Sequence, residues 1–267
     1  MKPQQILSLI FISWFLILVA SCAKDDDNNN SNTGKNEEPK ETESQIELKF
    51  VGYFNGAPLQ LNDKEYITAQ SDTVIFTRVR FLFSDLALFD GDGNTYSLDT
   101  FVFAALDLED PSPVLRIPYK ASELKSIQGI QMQVGLNEDE NHGDPMQWPT
   151  LHPLNPLRNH MHWTWATGYI FKVVEGYYRS SRPGSLFSFH MANLQYRKPI
   201  SLTTGEIQFN NPVQLEIRVH MDQYFSGEHP YSLVENGPIS HSTTEKDMEL
   251  MDLLYSNLSA VFEAKKL

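Results

Sequence analysis

The side chains in this chain best suited to chemistry are its eight histidines. Five of them stand where they could act together. His142 and His152 lie in one long loop, His160 and His162 lie where that loop enters a strand, and His190 lies on a later strand. Two residues apart on a strand, His160 and His162 would project from one face, separated by about 6.5–7 Å along the backbone. That spacing suits two ligands of one metal ion, with Trp163 and Trp165 turned the other way. Three His–Met adjacencies, at His160-Met161-His162, His190-Met191 and His220-Met221, would favour copper, Cu(I) above all. Neighbouring strand residues point to opposite faces, however, so Met161, Met191 and Met221 read as core and His220 as solvated. No Gly-x-Ser-x-Gly elbow, His-Glu-x-x-His helix or cysteine nucleophile occurs, and Gly91-x-Gly93 has no helix after it. No enzyme is expected.

The elements that must position these residues are mostly short alternating strands between turn signals. Candidate strands cover 45–53, 74–89 (broken near Ser84-Asp85), 127–134, 163–174, 185–191 and 206–219, and Gly91-Asp92-Gly93-Asn94 is a hairpin turn. In the last strand Val213, Leu215, Ile217 and Val219 share one face and Gln214, Glu216, Arg218 and His220 the other, as in an antiparallel strand with one wet face. Ser242-Thr243-Thr244-Glu245 matches a capping box. Met248, Met251, Leu254, Leu258, Val261 and Phe262 follow at helical spacing. Residues 135–159 carry four prolines, two histidines and four acids and predict a long loop, pinned by Trp148, Leu151, Leu154 and Leu157. The expectation is an all-β, antiparallel β-sandwich with a long Pro-rich loop and a C-terminal helix.

The N-terminal stretch reads as targeting. Lys2 precedes an uncharged apolar run, 6–20, which is shorter than a membrane span and ends in Val19-Ala20-Ser21-Cys22. This tetrad resembles a bacterial lipobox, so 1–21 is expected to be a lipoprotein signal peptide and Cys22 the lipidated N-terminus. Cys22 is the single cysteine, which leaves the mature protein without disulfides or Cys-based metal sites. Residues 22–45 form the acylated cysteine and an acidic tether with little to bury. Such a coil reaches roughly 25–30 Å. Asp25-Asp26-Asp27 resembles a surface-export signal, or is simply part of the linker. Residues 46–267 suffice for one core. A net charge of −13 argues against nucleic-acid partners. The expected location is the outer membrane, by lipid anchor, facing the periplasm or the outside.

Several segments resemble the copper-binding MbnP-like domain family. They are Asn141-His142-Gly143-Asp144-Pro145, Pro153-Leu154-Asn155 and the core Met161-His162-Trp163-Thr164-Trp165-Ala166-Thr167-Gly168-Tyr169-Ile170-Phe171. The run from Arg80 to Leu88, Phe189-His190-Met191, and His241 followed by a helix with Asn257-Leu258 and Phe262 agree as well. The resemblance implies a β-sandwich-like extracytoplasmic protein that binds copper through histidines. His142 and His190 match family positions best, and His162 lies at a variable one. In some relatives a dihaem partner oxidises a tryptophan, for which Trp163 or Trp165 is the counterpart. Relatives of the methanobactin-linked type carry cysteines after the Phe-His segment, and here Met191-Ala192-Asn193 continues without one.

Together these readings predict a lipid-anchored protein that captures or stores copper through His142, His162 and His190, with His160 in reserve. A redox or copper-delivery protein is the expected partner. The rival is a metal-free surface module that binds a peptide, glycan or protein at the aromatic loop around Trp148.

Overall fold

The computed structural model describes residues 44–107, 115–119, 125–164, 167–179, 185–209 and 213–267. Residues 1–43, on which the expected signal peptide, Cys22 and tether fall, and Trp165 lie outside the described residues. No helix among the described residues is long and apolar enough to cross a membrane.

In chain order the main elements begin with β1 (Ser44–Phe54), β2 (Thr73–Phe89), β3 (Val102–Ala105), β4 (Leu115–Tyr119) and β5 (Ser126–Val134). Then come α1 (Glu138–His142), α2 (Pro156–Asn159), β6 (His162–Thr164), β7 (Gly168–Tyr178) and β8 (Ser185–Ala192). The chain continues through β9 (Lys198–Gln208), β10 (Val213–His220), α3 (Met221–Ser226), β11 (Ile239–Ser240), α4 (Glu245–Val261) and β12 (Phe262–Lys266). One sheet runs β12-β10-β1 and ends on Ala57–Pro58, with β4 also on β1. The larger sheet runs β9-β5-β2-β7-β8-β11.

The sheets are mixed rather than antiparallel. β1 pairs in parallel with β10, Ile46 opposite Val213 through Tyr53 opposite His220, and β8 pairs in parallel with β11. Alternation reports which face a residue takes, not the direction of its neighbour. The apolar face of β10 holds, since Val213, Leu215, Ile217 and Val219 are all buried. The other face is not uniformly wet: Glu216 is buried and Arg218 and His220 are half-buried. The expected antiparallel partnership holds only toward β12. The expected strand 206–219 is in fact two strands, β9 and β10, one in each sheet. Conversely, β2 is one long strand, with a register shift at Ser84/Ala87 and Asp85 at φ 50° where a break was expected.

Aromatic rings close the space between the sheets. Phe50 stacks on Phe83 at 5.3 Å, and Phe262 meets Phe81 and Phe83 edge-on at 5.2 and 5.5 Å. Met161, Met191 and Met221 are fully buried; only Met191 owes this to strand alternation, since Met161 precedes β6 and Met221 opens α3. The helix α4 is capped by Thr244 with Asp247, two residues later than the Ser242/Glu245 box. Its buried Asn257 holds Tyr224 O at 3.0 Å and His229 O at 2.8 Å.

The Pro-rich segment is not a featureless loop. It folds into α1, a 3₁₀ turn at Pro145–Gln147, and α2. Asparagine and aspartate side chains cap each start: Asn137 on Glu140 N, Asp144 on Met146 N and Asn155 on Leu157 N. Leu154 is buried as expected, but Leu151 and Leu157 are exposed.

Candidate metal centre

The site grows from two adjacent strands. In β8 the buried face carries Phe187, Phe189 and Met191, which turns Ser188 and His190 to the other side. β11 lies alongside in parallel, Ser188 opposite Ile239 and Phe189 opposite Ser240. One step further, His241 stands beside His190, with ring centroids 4.7 Å apart and planes 16° apart. That separation is close to the spacing of neighbouring strands, about 4.7–4.9 Å. Ser242 secures the arrangement: its hydroxyl accepts from Ala192 N at 2.9 Å and lies 3.1 Å from the carbonyls of His190 and Ala192.

A hairpin delivers an indole to this pair. β6 folds back on β7, Thr164 opposite Gly168 and His162 opposite Tyr169. Trp163 reaches both imidazoles, 5.5 Å from His190 and 5.8 Å from His241. The hairpin packs tightly on the end of α1. Gly168 adopts φ +69°, and a Cβ there would come within 2.5 Å of Asn141 atoms. Buried Asn141 accepts from Tyr169 N at 2.8 Å. The neighbouring His142, bonded to Glu138 at 3.0 Å, thereby lines a pocket of about 330 Å³ that it shares with Asn141, Trp163, Ala192, Ser242 and Thr243. Trp163 is common to this pocket and to the imidazole pair.

The electrostatics of the site act on Glu175 and on His241. Glu175 Oε1 lies 2.5 Å from His190 Nε2, and the hydrogen bond from His190 holds this carboxylate below its usual range. Burial, and then the proximity of His190, lower the His241 pKa. Ser188 Oγ sits 3.3 Å from the Nε2 of each histidine. The buried Nδ1 of His190 has no hydrogen-bond partner. An uncompensated lone pair in such a place is costly unless something fills it, and a metal ion would. Among the described residues no three His, Cys, Asp or Glu side chains form a ready metal cage. The pair supplies two nitrogen donors, and Glu175 is engaged with His190.

The structure separates the other expected residues. His160 caps α2 in the left-handed conformation at φ 51° and is exposed, so it does not share a strand face with His162. His162 packs edge-on to Tyr169 at 4.8 Å, on the side of β6 away from Trp163, and burial lowers its pKa. Trp148 is stacked by His152 at 4.1 Å and 8° and flanked by Phe101, so one face of its ring is already covered. The residues that the histidine spacing missed are His241, Ser188 and Glu175. The alternation that turned Ser188 and His190 outward marked that face, but the partner strand that leads into His241 is two residues long and reads as loop.

The described residues form a mixed-β domain with two imidazoles and an indole gathered at one sheet edge. The MbnP family model matches residues 43–245, and the chain belongs to that family of bacterial copper-binding, non-catalytic proteins. Among solved structures, MbnP from Methylosinus trichosporium is similar at 12% identity and a TM-score of 0.48, over 69% of this chain and 78% of that one. Comparison with curated proteins gives no match.

Proposed function

We propose that this chain is an extracytoplasmic, lipid-anchored protein that captures or stores copper, with His190 and His241 as its principal ligands and His142, which lines a pocket with Trp163, as a third donor. The observation that carries the reading is the buried, unpartnered Nδ1 of His190 beside the stacked His241. Imidazole is a good copper ligand, and a site with so few donors suits the low coordination numbers of Cu(I). Ligation needs neutral rings, so copper is released as pH falls through the histidine range. Trp163, in ring contact with both imidazoles, is the tryptophan that a redox partner would modify. A mass shift on its peptide would report this.

The test is a competition titration with a Cu(I) chelator across single alanine variants. His190→Ala and His241→Ala should each lose most of the affinity and His142→Ala part of it, while His160→Ala and His162→Ala behave as wild type. Wild-type affinity in both His190→Ala and His241→Ala would overturn the assignment.

A further inference from the structure

The strands around His190 carry an ordered row of polar groups. Arg78 on β2 lies opposite Glu175 on β7, and Glu175 lies opposite Ser188 on β8. His190 is two residues along from Ser188, the diagonal position that long side chains span across a strand pair. Glu175 makes that diagonal contact at 2.5 Å, to Nε2. Its second oxygen faces Arg78 Nη1 at 3.7 Å, and Arg78 is fixed in turn by donating from Nη2 to His160 O at 3.2 Å.

We propose that Glu175 is the positioning residue of the site: it accepts the Nε2–H of His190, fixes that tautomer, and so makes Nδ1 the atom that meets the metal. This inference rests on the copper-binding reading given above. A carboxylate can only accept, so the nitrogen facing it carries the proton. The remaining lone pair is then on Nδ1, the buried atom without a partner. Ser188 cannot do the same work, because its hydroxyl donates or accepts equally well and sits 3.3 Å from both rings. Carboxylate–imidazole pairs of this kind orient the ring and increase its basicity toward a metal. Arg78 keeps the carboxylate aimed along the row and ties it to the end of α2, so the ring orientation is set by three strands rather than by one side chain.

The test uses the full chain in detergent, with ¹⁵N-labelled histidine. Metal-free wild type should show His190 protonated at Nε2, read from its ring nitrogen shifts and long-range ¹H–¹⁵N couplings. Glu175→Ala should mix the tautomers and weaken Cu(I) binding by about 10–100-fold. Glu175→Gln, whose amide oxygen can still accept, should keep the tautomer and lose less affinity. An Nδ1-protonated His190 in wild type would overturn the proposal, as would Glu175→Ala with tautomer and affinity both unchanged. A wild type that binds no Cu(I) would count against the copper reading itself, and the tautomer readout would still decide the role of Glu175.

Discussion

The core holds a lysine, Lys172. It is fully buried, its amine meets the Tyr224 hydroxyl and lies 3.8 Å from Met251 Sδ, and burial drives its pKa well below the ordinary lysine value. The sign of the linkage follows. An unfolded lysine titrates near about 10.4, so between the depressed folded value and that pH the unfolded chain binds the extra proton. Stability should therefore rise with pH from the depressed folded value up to the ordinary lysine range, by up to about 1.4 kcal/mol per pH unit. Lys172→Met should remove that slope and raise stability at neutral pH by about 1–2 kcal/mol. Urea unfolding of both proteins at several pH values between neutrality and the tyrosine range checks this, and a slope that persists in Lys172→Met would assign it to other groups. Residue-scale facts of this kind had little signature in the sequence. Lys172 stands in a continuously buried run of β7, and its amine meets Tyr224 of α3 and Met251 of α4.

At the scale of elements, the site depends on two joints. Ser242 joins the segment before α4 to β8, and Gly168 joins the β6–β7 hairpin to α1. Ser242→Ala removes every bond of its hydroxyl and should cost about 1–3 kcal/mol. It should also weaken copper binding, because His241 loses its fixed place beside His190. Gly168→Ala forces a side chain into the left-handed region against Asn141 and should cost about 2–4 kcal/mol. Thermal unfolding and copper titration of the two variants check both outcomes. Element identity was largely legible: β1, β5, β8 and α4 lie within a few residues of where periodicity puts them. The errors share a cause. Alternation does not say where a strand changes sheets, and so 206–219 merged β9 with β10. Short helices capped by Asn137 and Asn155 carry too few turns to show a helical period, and so 135–159 read as loop. His160 was misplaced for the same reason, since it caps α2 instead of starting a strand.

For the whole molecule, the parallel pairing of β1 with β10 brings the two ends of the domain together. The chain must travel through the larger sheet before β10 can dock on β1. No local pattern reveals such a partnership, which explains why an antiparallel sandwich was the natural expectation. The resemblance in the 134–176 region, in contrast, is strong enough for the residues alone to point to the family. Trp163 is in ring contact with His190 and lines a pocket with His142. What the resemblance left open was the geometry that selects His241 over His162 as neighbour of His190. The proposed lipid attachment is also tested on the whole chain. In a Gram-negative host the wild type should fractionate with membranes, and Cys22→Ala should move into the soluble extracytoplasmic fraction. Membrane association that survives Cys22→Ala would mean that something other than the lipid holds the protein there.

The most direct test of copper binding is a metal count. The exported chain, produced in copper-fed cells and purified without chelators, would be measured by elemental analysis beside a His190→Ala/His241→Ala double variant shown by circular dichroism to be folded. About one copper per wild-type chain and none in the double variant is the expected result. Copper retained in full by the folded double variant, or a wild type that stays free of copper even after exposure to both Cu(I) and Cu(II), would contradict it.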